Sequence, residues 1–442
     1  MDIAYIRAWG SNQWKNQKVR QVAMLFSVSL ASMPIGIVTS VVLSRFLGPN
    51  LYGDYNFLDN LFNLATIIFT LGFFYAANRM LVLNHDKKSA GEYFGATLVV
   101  LIMLFFIMSI ALGIYVLLDS NLKQKHLDYL MLVSIPFGWV YLATNYFETL
   151  FQADNRIKLL AVGRLAPKLG FLISAVVIYC FFTSNSHNKL QIAWGLYILA
   201  QVLAAIFVFA RIGMSFKNLK SNVEKIWAYN KTYGFHVYTG SVFSTGVAML
   251  TGVLISYFGK TNSGVGFYSL AVSLGGPLQL IPNTIATTNF KEFSMATSIP
   301  KKLTRITILF TSLSLLILWA IIPFFINFFY SSKFEPVIYL TFIVSIGMAC
   351  FGMADYYNRF LGAHGYGKLL RNTSFIVGSV ILIFNLSLIP FYGAYGAAIT
   401  RLLGGICYLL CMLYYYRKAK AEQIRQASEI LGPTIKLKSD VD

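Results

Sequence analysis

Charge is what this 442-residue chain has least of: 12% of its residues are Asp, Glu, Lys or Arg, against 57% hydrophobic and 16% aromatic. That shortage excludes a soluble globular domain. Cysteine is also scarce. Cys180, Cys350, Cys407 and Cys411 all lie in apolar stretches, and Cys407 and Cys411, one helical turn apart, have no histidine near them. Neither a disulfide framework nor a metal site follows, and packing thiols remain. The five histidines, His85, His126, His187, His236 and His364, are scattered without a carboxylate or Cys at ligand spacing. No Gly-rich P-loop ending in Lys-Ser or Lys-Thr is present, so ATP does not drive this chain directly. The connections between apolar stretches are too short to hold a catalytic domain outside a membrane. The expectation is a protein that is not an enzyme and needs no cofactor.

Long apolar runs are what the sequence has in excess. A hydrocarbon core about 30 Å thick needs roughly 20 apolar residues per helical span, and twelve such stretches recur: 22–43, 58–77, 94–118, 127–151, 165–182, 190–210, 235–258, 267–288, 303–329, 336–358, 373–388 and 394–416. The predicted fold class is an all-α polytopic membrane protein. Lys and Arg collect in short cytoplasmic loops, and with the N-terminus inside all but seven of the 36 fall on the cytoplasmic side. Six fall opposite (Arg45, Lys123, Lys125, Lys189, Lys260 and Lys333), and Arg401 falls within a span. Both termini are therefore expected in the cytoplasm, in a cell inner membrane. The formal charge of +19 is then a consequence of topology and not a sign of a nucleic-acid partner.

The chain repeats itself. Asn145 to Leu160 lies over Asp355 to Leu370 at an offset of 210, with Tyr146, Ala153, Lys158, Leu159 and Leu160 recurring as Tyr356, Ala363, Lys368, Leu369 and Leu370. Ser44 to Tyr55 lies over Ser256 to Tyr268, with Gly53 and Tyr55 falling on Gly266 and Tyr268. Span one thus matches span seven, and span four matches span ten. Six spans per half is an even number, so both halves enter the bilayer from the same side, a parallel-repeat plan used by transporters that hold substrate between their halves. The expected organisation is an interfacial N-terminal segment 1–21 with Trp9 and Trp14 among basic residues, an N-lobe 22–210, a basic linker 211–234, a C-lobe 235–416 and a basic tail 417–442.

Leu43-Ser-Arg-Phe-Leu-Gly-Pro-Asn-Leu-Tyr-Gly-Asp-Tyr55 after a basic N-terminus, together with Phe151-Gln-Ala-Asp-Asn-Arg-Ile-Lys158 after the fourth span, resembles the Wzx-type O-antigen and polysaccharide repeat-unit flippases of the multidrug/oligosaccharidyl-lipid/polysaccharide superfamily. The resemblance implies two parallel six-helix lobes around a central cavity, a MATE-like arrangement. It further implies movement of an undecaprenyl-pyrophosphate-linked glycan from the cytoplasmic to the periplasmic leaflet, coupled to an H+ or Na+ gradient. A polymerase and chain-length regulator of the same pathway are the partners it suggests. A multidrug antiporter of the same fold should carry an acidic residue in span one, where 22–43 has none. A lipid II flippase should add two helices, and an O-antigen polymerase should add a large Arg-rich periplasmic loop.

Ionisable residues within spans are expensive and functional by default. Arg401 is the expected contact for the substrate's pyrophosphate, with a structural pair to a carboxylate as the alternative. Arg79, at the end of span two, and Arg45, after span one, are further candidates for substrate binding, Arg79 also reading as a positive-inside anchor. Glu148 and Asp355 occupy the paired spans four and ten, each one turn from an amide (Asn145 and Asn358), and with Asp59 they are the candidate ion-coupling groups. Pairing of Glu148 and Asp355 with Arg156 and Arg359, and of Asp59 with Arg45, is the structural alternative.

Overall fold

A computed structural model describes residues 17–83, 87–181 and 188–431. Among them there is no strand; hydrocarbon offers no partner for a peptide N–H or C=O, and each helix satisfies its own groups within the segment. Residues 1–16 of the expected interfacial segment, and the tail beyond 431, lie outside the described residues.

The first element, α1 (Gln17–Phe69), runs for 53 residues. Straight, it would be ~80 Å long, more than twice the ~30 Å of hydrocarbon. It breaks at Gly48, whose φ of 72° and ψ of 174° are not helical. Pro49 follows, and a residue before proline is pushed out of the helical region while proline itself suits a helix's first turn. The loop expected between spans one and two is therefore a kink, with 49–69 already helical. A second break at Leu71 and Gly72, both with positive φ, leads into α2 (Phe73–Leu83).

Next come α3 (Lys87–Leu118), α4 (Ser120–Gln124), α5 (Asp128–Ser134), α6 (Trp139–Ala153), α7 (Ile157–Phe181), α8 (Lys189–Ile212) and α9 (Leu219–Tyr229), the last within the basic linker. After them run α10 (Phe235–Ser241), a π turn at Val242–Gly246, α11 (Val247–Phe258), α12 (Ser263–Thr288), α13 (Phe290–Met295), α14 (Lys301–Phe329), α15 (Pro336–Ala363), α16 (Gly367–Tyr392) and α17 (Ala394–Leu431). Among the described residues nine helices are long and apolar enough to cross a membrane, or ten if the pair bent by 45° around Gly138 is one span. The remaining two expected spans, the second and seventh, are helical but interrupted, by Gly72 and by the π turn.

The helices pack as two compact units, 1–267 and 268–442. In the first, α1 lies against α7, α8 and α11. The segment 235–267, which the sequence repeat gives to the second half, packs here because glycines let it approach α1: a Cβ on Gly53 would lie 1.8 Å from the Asn262 carbonyl oxygen, and one on Gly266 3.0 Å from the Gly53 nitrogen. The two repeat-matched glycines thus meet each other. In the second unit α17 lies along both α15 and α16. A Cβ on Gly405 would stand 2.5 Å from the Gly347 oxygen, so α15 and α17 touch backbone to backbone, the close approach that small residues permit in membranes.

Each unit carries the same helix-turn-helix at the repeat sequence. Tyr146 and Tyr356 are both fully buried, and Tyr146 donates to the Phe94 carbonyl at 2.9 Å. The matched residues Asn155 and Gly365 both take positive φ, and the next N–H in each case (Arg156, Tyr366) reaches five residues back to Phe151 and Leu361, at 2.9 and 3.1 Å. The repeat is therefore one of backbone conformation as well as of residue type.

Gly405→Ala should lower the melting temperature of the purified protein, since a forced methyl at a packed contact costs about 1 to 3 kcal/mol. Gly367→Ala, with open space around the new atom, should leave it unchanged.

Candidate functional site

Two polar centres sit inside the helices, one in each unit. In the first, Asp59 on α1 accepts hydrogen bonds from the hydroxyls of Tyr141 on α6, at 2.9 Å, and Tyr197 on α8, at 2.8 Å. Gln201 donates in turn to the Tyr197 oxygen at 3.1 Å. Aromatic rings wall the group: Tyr55 stacks on Phe171 with centroids 6.0 Å apart and meets Tyr197 edge-on at 5.5 Å, while Phe62 stacks on Tyr141 at 5.2 Å. Trp194, fully buried beside them, donates its indole N–H to Ser134 at 2.7 Å. The expected Arg45 partner is replaced by these two tyrosines. Hydroxyl donors hold a carboxylate without supplying a counter-charge.

In the second unit Asp355 on α15 accepts from Gln279 on α12 and from Tyr408 on α17, each at 3.0 Å. The Tyr408 oxygen also accepts from the Asn358 amide at 2.7 Å. The carboxylate and amide that the repeat placed one turn apart are joined here through a single phenol. Arg359 turns instead toward the Asn283 side chain, at 3.4 Å, so its expected pairing with Asp355 gives way to a neutral network.

Arg401 lies on α17 in the same unit, set there by the α15–α17 crossing. Its guanidinium stands over the Phe351 ring, 4.8 Å from the centroid, and one Nη is 3.4 Å from the Met348 sulfur. Its Nε is buried with no hydrogen-bond partner. Among the described residues no carboxylate forms an ion pair with it, so the expected structural salt bridge is absent. The neighbours are soft and uncharged, and among the described residues no anion neutralises the guanidinium.

The other sequence-chosen residues do not join these centres. Glu148 is held in a two-point ion pair by Arg164 of α7, Nε to Oε1 at 2.6 Å with Nη2 on Oε2, while Arg156, expected near it, pairs with Asp154. Glu148 therefore already has its counter-charge. Arg79 is exposed near the end of α2, 6.0 Å from the Tyr233 ring, and Arg45 is exposed three residues before the Gly48 kink. Sequence reasoning missed Tyr141, Tyr197, Gln201, Gln279 and Tyr408. Gln201 and Gln279, amides inside apolar spans, were the available signal; the tyrosines were hidden among 27. No cluster of three metal-ligating side chains occurs among the described residues.

Residues 19–297, well over half the chain, match the family described as "Polysaccharide biosynthesis protein". The chain belongs to that family. An uncharacterized membrane protein of Methanocaldococcus jannaschii is 23% identical over 324 residues, 68% of this chain and 62% of the relative, so the chain spans less than two thirds of that relative's length. Among solved structures, the lipid II flippase MurJ in an inward closed conformation aligns with a TM-score of 0.69 at 14% identity, covering 94% of each chain. An inward-facing MATE multidrug resistance transporter of the MOP superfamily aligns at 0.64 and 12%, covering 90% of this chain and 96% of that one. The polysaccharide-family membership and the MATE-like fold expected from Leu43 to Tyr55 are thus both present.

Arg401→Ala leaves no orphaned carboxylate, so its abundance in membranes should match wild type. Arg164→Ala strips Glu148 of its partner and should reduce abundance by about 1 kcal/mol of stability, with Glu148→Gln in the same chain restoring it. Fluorescence-detected gel filtration measures both.

Proposed function

We propose that this family member flips a polyprenyl-pyrophosphate-linked oligosaccharide, such as an undecaprenyl-linked O-antigen repeat unit, from the cytoplasmic to the periplasmic leaflet of the inner membrane. It acts as a transporter and not as a polymerase. The observation that carries the reading is Arg401: a guanidinium within an apolar span whose buried Nε has no hydrogen-bond partner, and which has no carboxylate paired with it, among the described residues. A membrane protein keeps such a group where an anion will meet it. A pyrophosphate offers paired oxygens that fit a planar fork, and family membership supplies the glycan. Arg79 and Arg45, exposed at span ends, are assigned to meeting the same headgroup on its way in and out.

Moving pyrophosphate through hydrocarbon unaided costs tens of kcal/mol in lost solvation, and a net direction needs an energy source. Asp59 is assigned as the coupling group, binding H+ or Na+, because its two tyrosine donors stabilise the carboxylate without supplying a counter-charge. Asp355, held by Gln279 and Tyr408, is the matching candidate in the second unit. Glu148, already paired with Arg164, would have to break that pair to take part. Lipid II is the second reading, supported by the MurJ-like fold, and it requires the same anion contact.

Reconstituted vesicles with labelled undecaprenyl-pyrophosphate trisaccharide test the proposal. Transport should fall about 10- to 100-fold in Arg401→Ala, the range for losing a hydrogen bond to a charged group, and less in Arg401→Lys, which keeps the charge but loses the fork. Asp59→Asn should transport at the same rate with and without an imposed ion gradient. Normal transport by folded Arg401→Ala would remove the anion role, and selective transport of lipid II would replace the substrate.

Orientation has its own check. Single cysteines at Lys123, Lys260 and Lys333 should react with an impermeant maleimide from the periplasm, and those at Lys158, Lys225 and Lys368 only after permeabilisation.

A further inference from the structure

Within the first unit, at the end that the basic-residue census assigns to the outside, a second polar assembly has no part in the proposed transport site. Lys125 caps α4, and its ammonium donates to three acceptors on a distant stretch of chain: the Ser256 carbonyl, the Ser256 hydroxyl at 3.1 Å and the Asn262 Oδ1 at 3.1 Å. Ser256 also donates to that same Asn262 oxygen at 2.6 Å. The Asn262 amide nitrogen then donates to Asp54 of α1 at 2.8 Å. One amide therefore stands between a cation and an anion, bonded to both. Ser256 and Asn262 are almost fully buried, at 3% and 1% exposure. Burial holds Lys125 below the usual lysine range, against the pull of Asp54 and Asp119.

The place of this assembly is informative. It fastens the outer end of α11 to α1 where the repeat-matched Gly53 and Gly266 touch, and where Gly252 lies against Asn60 of α1. A bare salt bridge across a buried contact is hard to open, because parting it strands two charges. Here each charge faces neutral hydrogen-bonding groups, which can be exchanged for water one at a time at a net of about 1 kcal/mol each. A small cavity of about 10 Å³, room for about one water, is lined by Tyr115, Asp119, Asn121 and Lys125 among others.

We propose that Lys125, Asn262 and Asp54 form a releasable clamp that holds the segment 235–267 on the first unit, and that the clamp must open in each transport cycle. Its place in a cycle rests on the transport reading, but the clamp itself can be observed without substrate. The full chain with its four native cysteines replaced by serine is used. A reporter, Ile255→Cys, sits in the covered face of α11, at 2% exposure. Its labelling by N-ethylmaleimide should be slow, and roughly five- to tenfold faster when Lys125→Ala or Asp54→Ala removes a clamp bond, with an unchanged gel-filtration profile. Equal labelling rates in folded Lys125→Ala would overturn the proposal.

A second variant, Asp54→Cys/Asn262→Cys, should form a disulfide on oxidation, stop flipping of the labelled trisaccharide lipid, and recover when reduced. Undiminished flipping by the cross-linked protein would discard the clamp and leave the transport reading standing. Clamp-sensitive labelling in a protein that moves no lipid-linked glycan would do the reverse.

Discussion

Everything in this structure follows from the inability of hydrocarbon to hydrogen-bond a peptide group. A helix meets that demand within one segment, and the design lies in where helices are broken and what repairs the break. Gly48 and Pro49 break α1 at a residue free to leave the helical region, before a residue with no N–H to strand. The break at Leu71 and Gly72 is repaired from the side, by the Asn230 amide donating to the Leu71 carbonyl at 3.1 Å. With no hydrophobic drive between helices in lipid, backbone proximity does much of the packing, as where Gly347 faces Gly405 and Gly53 faces Gly266.

Against that apolar ground the polar centres divide by how charge is handled. Glu148 is met by Arg164 in a direct two-point pair, a structural solution. Asp59 and Asp355 are met by phenols and amides, which supply hydrogen bonds and no counter-charge. Arg401 is met by an aromatic face and a thioether. In the proposed transport cycle the phenol-held carboxylates would take the cation and Arg401 the anion.

The fold was legible in the sequence because one property, apolar length, decides membrane helices almost alone. Among the described residues nine of the helices, or ten with the bent pair, are long and apolar enough to cross a membrane, and the repeat drawn from Tyr146 and Tyr356 proved to be a repeat of turn geometry down to the positive φ at Asn155 and Gly365. The first outer loop was misread because Gly48-Pro49 looks like a turn and serves as a kink. The site was less legible. Charge inside a span marked Arg401, Asp59 and Asp355, but their partners come from other helices, often more than 50 residues away, and a tyrosine among many carries no mark of the carboxylate it will meet. Nearness in sequence also misled: Arg156 and Arg359, close along the chain to Glu148 and Asp355, bond elsewhere.

The contact between Gly53 and Gly266 has a consequence for how such a chain can diverge. Two copies of one ancestral stretch ordinarily drift apart independently, each tolerating what its own surroundings allow. Here the copies are each other's surroundings. A methyl group gained by Gly266 would press on the Gly53 backbone, and one gained by Gly53 on Asn262 and Ser263 a turn before its twin, so steric exclusion constrains the two positions together.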